Sequence, residues 1–496
     1  MGGMKAIIAA AAAFVLAVPG QSQAPAPPPA PAPAPAWSVE PWLQDLAQAR
    51  TAIETKYANL DYLIVEREFD LGGLFDRAAA ALRGARSDAD AKAVFDRIIQ
   101  RIADGHVNLD WPRGAAPGPA ATAPAAPAPP PTMESFCRAR GFDPSRPGIA
   151  ASLPGYAAVG QADVLPAGTI QIGGVRAGIV RIAKFEPGGS PALCPQAVAA
   201  LAIPLDQACD DSCHDRIMTH AYRGLTLALE QRLAGLRAAG AGILILDLTG
   251  NGGGSEWVQA VARMVTTRRL VSQRMGFVRG PHWEGTWTRL GDKLREFART
   301  ASAADRSRLL AWAAEADAAR AETRRTCPPT GGCPWLGRAG YATGLVGSAR
   351  PGEYDGKEWG PWVFNAAQYP YREGAWDGPV IVLVDDYTAS AAEELPALLQ
   401  DNGAALIVGS RTAGLGCGHT WGGSPTRLAN SGATLHLPDC SRFRADGSNE
   451  VRGILPDLLV PWRATDGTRF KARLLAAVLP RAVEEATALY RRSRAR

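Results

Sequence analysis

The feature that most constrains the fold is an unbroken run of five aliphatic residues, Val380–Val384. A strand with apolar side chains on both faces must be covered on both sides, as is typical of parallel sheets in α/β proteins. The following residues 391–400 predict a helix with two glutamates in its first turn. Ser390 therefore lies where a buried strand turns into a helix, a position that exposes a hydroxyl beside backbone N–H groups.

A second segment has the same arrangement. Residues 242–248, which read GILILDL, indicate another buried strand with an aliphatic run at 243–246, and they continue into the glycine-rich turn TGNGGGS at 249–255. Glycine permits close approach of the backbone and positive φ angles. Further along, residues 453–457 read GILPD and are followed by the apolar residues 458–461.

Taken in their order along the chain, the glycine-rich segment, the Ser390 segment and the GILPD segment resemble the C-terminal processing (tail-specific) serine peptidase family. Its members carry a strand followed by D-x-R-x-N-x-G-G, then T-A-S-A-S-E with the nucleophilic serine, then G-I-x-P-D. The resemblance extends over about residues 177–465. It implies an α/β fold with a crotonase/ClpP-like core of stacked ββα units, and hydrolysis of peptide bonds through an acyl-enzyme on Ser390.

The residue that activates the serine differs from many relatives. A serine hydroxyl needs a base, and many members use a lysine in G-x-T-x-G-K-G, where this chain has Leu415. No lysine lies between Lys357 and Lys471. The tricorn-like and chlamydial-protease-like branch, which uses serine, histidine and glutamate, is more similar, and His106 and Glu450 match its positions.

The resemblance assigns a role to each residue of this set. His106, in an Asp-Gly-His turn, would take the proton from Ser390, and Glu450 would orient the imidazole and stabilise its cation. His106 could instead be a structural turn histidine and Glu450 a surface carboxylate. His419 is a rival base, because it follows the vacant lysine position closely.

An oxyanion hole requires two backbone N–H donors. The candidates are Gly252 or Gly253 in the glycine-rich turn, together with Ala391 after the serine. Thr249 occupies the position of the arginine in the D-x-R motif, so a supporting salt bridge from that site is expected to be lost. Pro396 should kink or shorten the helix that follows the serine.

The domain organisation follows from composition and periodicity. Residues 113–132 are a Pro/Ala tract like residues 25–36, and only about 45 residues separate it from the core, too few for a clear PDZ domain. The Trp-rich insertion at 270–376 could cap the site or form a separate packed lobe. The predicted parts are a signal peptide at 1–24, a linker at 25–36, an N-terminal helical region at 37–112, a disordered loop at 113–132, a small β region at 133–176, the peptidase core at 177–465 with its insertion at 270–376, and a C-terminal helix at 466–496.

The cysteines and the charges restrict the function classes. Eight cysteines beside a signal peptide predict disulfides, and Cys417 should pair with Cys440. Cys209 and Cys213 could form a local disulfide or remain thiols, and no cluster has zinc spacing. The net charge of +5 is scattered, and seven lysines form no basic stripe, so no nucleic-acid binding is expected.

The sequence therefore predicts a periplasmic or secreted serine peptidase without cofactor or metal. Its partners would be protein or peptide substrates, with no stable membrane insertion once the signal peptide is removed. The oligomeric state stays open. Two other functions are compatible with the same scaffold: a ligand-binding protein without catalysis, and a hydrolase of other esters or amides.

Overall fold

A computed structural model describes residues 37–112, 131–144, 147–160, 163–325 and 334–495. The predicted signal peptide, the linker at 25–36 and nearly all of the tract at 113–132 lie outside these residues.

The helices are α1 (Glu40–Lys56), α2 (Leu71–Gly84), α3 (Asp88–Ile102), α4 (Met133–Arg138), α5 (Leu193–Ala200), α6 (Asp211–Ala238), α7 (Trp257–Met264), α8 (Pro281–Ala298), α9 (Ala303–Thr323), α10 (Gly360–Val363), α11 (Ala391–Asp401) and α12 (Thr468–Arg494). The strands are β1 (Asn108–Asp110), β2 (Ala157–Ala158), β3 (Ala167–Ile172), β4 (Val175–Arg181), β5 (Ile243–Asp247), β6 (Arg274–Phe277), β7 (Gly337–Tyr341), β8 (Val380–Val384), β9 (Leu406–Gly409), β10 (Thr426–Arg427), β11 (Thr434–His436), β12 (Cys440–Phe443) and β13 (Leu458–Leu459).

A seven-stranded sheet with the order β13-β9-β8-β5-β4-β3-β2 forms the centre of the fold. The five strands from β13 to β4 are parallel, and β3 and β2 are antiparallel additions. All residues of β5 and β8 are buried, as their aliphatic runs predict. The predicted α/β class is confirmed.

Helices cover both faces of this sheet. Leu246 and Val382 share one apolar cluster with α6, α7 and α11, whereas Ile245 and Ile381 share another with α12. Neighbouring residues of one strand thus point to opposite helical layers, since strand side chains alternate between faces. The helix α11 runs unbroken through Pro396, which corrects the expectation of a shortened first segment.

The N-terminal helices pack against a hairpin that follows the nucleophile helix. Their apolar faces form one cluster with Leu428, Leu435 and Leu437. Strand β1 pairs antiparallel with β11, with Asn108 opposite His436. The Ser87 hydroxyl caps α3 by accepting from the Asp90 backbone N–H at 3.2 Å, the capping pair that the sequence indicates. The region that carries His106 is therefore fixed to the same layer as the segment leading to Glu450.

The predicted insertion contains α8 and α9, packed against each other, and the strands β6 and β7. Strand β6 pairs with β12, so the insertion shares a small sheet with residues beyond Ser390. The Trp283 indole N–H donates to the Asp439 carbonyl at 2.9 Å. The role of the insertion as a cap stays a prediction, but the insertion contacts Asp439 and β12, which lie between Ser390 and Glu450 in the chain.

Three disulfides join described cysteines. Cys417–Cys440 confirms the predicted pairing, Cys209–Cys213 closes a local loop, and Cys137–Cys194 links α4 to α5. The loop of Cys327 and Cys333 lies outside the described residues. Within the described ranges, no helix combines the length and apolarity needed to span a membrane.

Candidate active site

Two strand ends meet where the sequence places the nucleophile. Strands β5 and β8 are parallel neighbours, so the turns that follow them lie at the same edge of the sheet. The Ala389 N–H donates to the Asn251 carbonyl at 2.9 Å, and the Gly250 N–H donates to Asp385 Oδ1 at 2.8 Å. The glycine-rich turn and the serine turn are thus held together by hydrogen bonds.

Ser390 has an unusual backbone conformation. Its φ is 56° and its ψ is −120°, a region that a residue with a Cβ rarely adopts. Such strain costs roughly 1–3 kcal/mol and is retained where the surroundings enforce it, often at functional sites. Ser390 also caps the N-terminus of α11, the positive end of the helix dipole, which favours negative charge developing beside it.

The His106 imidazole lies between Ser390 and Leu415. Its Nε2 is 3.2 Å from Ser390 Oγ, and its Nδ1 is 3.2 Å from the Leu415 backbone oxygen. A carbonyl oxygen can only accept a hydrogen bond, so Nδ1 carries the proton and Nε2 presents its lone pair. The Ser390 hydroxyl then donates to Nε2, which is the arrangement of a nucleophile with its base.

The turn around His106 is fixed by Asp104. The Asp104 carboxylate accepts from the His106 backbone N–H at 2.9 Å, from the Tyr57 hydroxyl at 2.8 Å and from the Asn59 amide at 3.2 Å. Burial lowers the pKa of His106 below its ordinary value, although the charge of Asp104 opposes this shift. The imidazole is therefore neutral near pH 7 and able to accept a proton.

Glu393 organises the loop that orients this histidine. Its buried carboxylate accepts from the Ser390 N–H at 3.0 Å, from the Thr412 hydroxyl at 2.6 Å, and from the N–H groups of Gly414 at 2.7 Å, Leu415 at 2.8 Å and Gly416 at 3.2 Å. Burial raises the pKa of Glu393, and the bond from Thr412 opposes the rise. One side chain thus positions both the serine and the carbonyl that binds His106.

The structure does not bring Glu450 to the imidazole. Within the described chain no hydrogen bond joins Glu450 to His106, whose Nδ1 is occupied by Leu415. The Glu450 carboxylate is buried and accepts from Arg442, at 3.1 and 3.0 Å from Nε and 2.6 Å from Nη2. This corrects the expected direct contact, because the competing guanidinium satisfies both carboxylate oxygens.

Arg442 is the centre of a buried charge network behind Ser390. Its Nη2 donates to the Ser390 carbonyl at 3.1 Å and to the Gly416 carbonyl at 3.0 Å, and its Nη1 is 3.3 Å from Glu394. Burial raises the pKa of Glu394 to about 7. Through Arg442, Glu450 therefore contacts the serine backbone rather than the histidine.

The candidate oxyanion donors differ in availability. The Gly253 N–H donates to Asn251 Oδ1 at 2.8 Å, so this N–H is already used, and the expectation for Gly253 is corrected. Across the described residues, the N–H groups of Gly252 and Ala391 have no acceptor. Gly253 is needed for another reason: its φ is 115°, and a Cβ there would lie 2.8 Å from Ser390 Cβ.

His419 lies beside His106 but does not reach the serine. Their ring centroids are 6.0 Å apart in an edge-to-face arrangement, and the described hydrogen bonds include none from His419 to Ser390. Burial lowers the pKa of His419. His419 therefore contacts His106 rather than Ser390.

The arginine missing from the D-x-R motif has a replacement. Arg181, opposite Asp247 on the neighbouring strand β4, lies 3.6 Å from the Asp247 carboxylate and donates to its carbonyl at 2.9 Å. The Thr249 hydroxyl donates to the same carboxylate at 2.6 Å. The salt bridge from position 249 is therefore absent, as expected, but Arg181 on the adjacent strand supplies a guanidinium to Asp247 in its place.

Comparison with known proteins identifies the family. Residues 217–460 match the model of peptidase family S41. This part of the chain is a peptidase family S41 domain. The S41 domain includes Ser390, Glu393 and Glu450, whereas His106 precedes it. No group of three histidine, cysteine or carboxylate side chains able to hold a metal occurs among the described residues.

Relatives of the S41 domain support the fold. Mature CPAF superimposes with a TM-score of 0.56 at 16% identity, covering 91% of this chain and 98% of that one. A complex of mature CPAF with lactacystin gives a TM-score of 0.54 at 16% identity, covering 91% and 99%. An uncharacterized protein of Chlamydia muridarum is 32% identical over 99 residues, which are 20% of this chain and only 16% of that relative's length.

Sequence reasoning missed several residues around the S41 domain's site. The Leu415 carbonyl has no side-chain signature, because any residue supplies a backbone oxygen. Arg442 lies in a polar, charged stretch before Glu450, two residues from Arg444, so nothing in the sequence marks it as the buried arginine. Glu393 was visible as an acidic residue in the first turn of α11, but its second function, binding the 412–416 loop, depends on tertiary contacts.

Proposed function

We propose that this protein is a serine endopeptidase in which Ser390 is the nucleophile and His106 the general base. Glu393, Arg442 and Glu450 act as positioning residues through the backbone of Ser390 and Leu415. The family supports peptide bonds as the substrate, and the absence of a clear PDZ domain from the sequence favours internal cleavage over recognition of free C-termini.

The reaction follows from the geometry. His106 Nε2 takes the proton of Ser390 Oγ as the oxygen attacks the scissile carbonyl carbon, giving a tetrahedral oxyanion and an imidazolium. The N–H groups of Ala391 and Gly252 are the proposed oxyanion donors, and losing one such donor typically costs about 3–4 kcal/mol. The imidazolium then protonates the leaving amine, and water, deprotonated by His106, releases the acyl group from Ser390.

One observation carries this proposal: His106 Nε2 lies 3.2 Å from Ser390 Oγ while Nδ1 faces a carbonyl oxygen. The distance alone would allow a histidine that merely donates to the hydroxyl. The carbonyl at Nδ1 fixes the tautomer, so that Nε2 is the acceptor. A binding scaffold without catalysis has no need of this tautomer or of a strained serine beside it.

We also propose an oxidising location, the periplasm or the exterior of the cell. The three disulfides of the described residues support it, because structural disulfides persist where thiols are not kept reduced. Fractionation of the producing cells, followed by thiol labelling of the protein, tests this part separately from catalysis.

The decisive experiment combines covalent labelling with turnover. The unmodified protein should be labelled at Ser390 by a fluorophosphonate probe and should cleave unfolded protein, whereas Ser390→Ala should do neither and keep its unfolding temperature. Peptides with free and amidated C-termini should be cleaved equally well by an endopeptidase. A folded protein that resists the probe and binds a small ligand would instead support the binding function.

A further inference from the structure

A tight turn beside His106 holds a tryptophan in an unfavourable conformation. The Gly423 N–H donates to the Thr420 carbonyl at 2.9 Å, and the central residues Trp421 and Gly422 have φ angles of 51° and 80°. These are the φ angles of a type I′ turn, which favours asparagine or glycine at the first central position. A bulky residue there is strained, and strain of this kind points to a function.

The fold does not use the Trp421 side chain for packing. Its relative exposure is 73%, the highest among the exposed large hydrophobic residues of the described chain. Its one described ring contact is with the Arg289 guanidinium of α8, 5.7 Å from the ring centroid. The strain is therefore not offset by burial of the indole in a core.

The turn is nevertheless held firmly. The Thr420 N–H donates to Asp439 Oδ1 at 2.9 Å, and His282 Nε2 lies 2.8 Å from the Thr420 carbonyl. The Cys417–Cys440 disulfide fixes the start of the same segment. The indole is thus presented from a rigid base, as a binding residue should be.

The turn lies close to the reacting atoms. A Cβ on Gly418 would be 3.0 Å from His106 Nε2, which faces Ser390 Oγ. Trp421 follows Gly418 by three residues, so their Cα atoms are at most about 11 Å apart. An extended peptide advances about 3.3 Å per residue. A side chain two or three positions from the scissile bond therefore comes within reach of the indole.

We propose that Trp421 forms a substrate subsite that binds a large apolar side chain of the peptide, two or three residues from the scissile bond. An exposed indole gains most from covering by another apolar group. The Arg289 guanidinium beside the ring disfavours lysine or arginine at this position. The inference rests on the proposed peptidase function and adds to it a preference for particular substrate side chains.

The test uses internally quenched peptides that differ only at the second or third position from the cleaved bond, with leucine, phenylalanine, alanine or lysine there. Trp421→Ala should lower kcat/KM for the leucine and phenylalanine peptides by about 10-fold or more, mainly through KM, with little change for alanine. Phe470→Ala, at an aromatic residue of α12 that is 52% exposed, is the matched control and should change nothing. An unchanged ratio of leucine to alanine peptides in Trp421→Ala would overturn the proposal.

A second variant separates a binding role from a structural one. Trp421→Asn places a residue that tolerates the left-handed region at this turn. It should raise the unfolding temperature while losing the same selectivity as Trp421→Ala. A lower unfolding temperature would show that the indole stabilises the fold, and would overturn the proposal. Failure of the proposed function is recognised separately, because the unmodified protein would then resist the fluorophosphonate probe and cleave none of the peptides.

Discussion

The His106 imidazole is oriented by the Leu415 backbone oxygen, 3.2 Å from Nδ1, at the position where many related peptidases carry a lysine. A backbone carbonyl fixes the tautomer as a carboxylate would, but it brings no full charge to stabilise the imidazolium. The nearest carboxylate of this turn, Asp104, binds the His106 backbone N–H instead. The site is therefore a serine–histidine pair held by its loop.

Replacing the proposed base should lower turnover strongly. His106→Ala is expected to lower kcat by about 10²–10⁴-fold, since general-base catalysis typically contributes that much. His419→Ala, which removes a neighbouring ring without a bond to Ser390, is the control and should lose far less. Steady-state kinetics on one peptide measures both, and a dead His419→Ala with an active His106→Ala would contradict the assignment.

The pH dependence follows from the buried base. Only the neutral imidazole can accept the proton, and burial holds the pKa of His106 below its ordinary value of 6.5. The acid limb of kcat/KM should therefore lie below pH 6.5, with activity lost as the pH falls through the lowered pKa. His419→Ala should move this limb upward, because the charge of His419 opposes protonation of His106. An acid limb above pH 7 would contradict the prediction.

The role of Glu393 can be separated from that of the side chain at 415. Glu393→Gln replaces an oxygen acceptor by an amide that faces N–H donors, so it should displace the Leu415 carbonyl and lower kcat by at least about 10-fold. Leu415→Ala keeps the backbone oxygen and should retain most activity. Equal losses in the two variants would show that the leucine side chain, not its carbonyl, positions His106.

Glu450 should stabilise the fold and, through Arg442, position the backbone of Ser390. Breaking a buried ion pair typically costs about 3–5 kcal/mol, so Glu450→Gln should unfold at markedly lower denaturant concentration. Glu54→Gln, which breaks an exposed pair with Arg50, should cost less than about 1 kcal/mol. Glu450→Gln should also lower kcat without moving the acid limb, whereas a glutamate that oriented the imidazole directly would move it.

The disulfides should differ in their stabilisation. Cys417–Cys440 spans 23 residues and Cys209–Cys213 only 4, so the chain-entropy model gives about 3 and about 2 kcal/mol. Replacing both cysteines of each pair by serine and measuring unfolding in urea compares them. A larger loss from the short loop would show that local strain or contacts outweigh chain entropy.

The sequence predicted the features that depend on local pattern. The aliphatic runs of β5 and β8 indicate buried parallel strands, and their ends indicate where Ser390 and the glycine-rich turn meet. The helix over residues 391–400 was correct to one residue, and Pro396 did not interrupt it, because the helix is buried along its length and packs into the main apolar cluster.

The remaining features depend on contacts between distant segments. The Glu450 carboxylate was expected to bind His106, but it accepts hydrogen bonds from Arg442, eight residues earlier in the chain. Spacing along the chain does not reveal this pairing. The Gly253 N–H was unavailable because Asn251 folds back onto it. Likewise, the guanidinium beside Asp247 belongs to Arg181 on the adjacent strand. The D-x-R motif describes a single strand, so it could not predict this contact.

The pairing of β1 with β11 has a consequence for biosynthesis. The strand that anchors the His106 turn contains residues 434–436, which are translated after Ser390. A nascent chain that ends before this strand would carry the nucleophile without a fixed base. On the proposed assignment, peptide-bond cleavage would therefore begin only after the hairpin has emerged and folded.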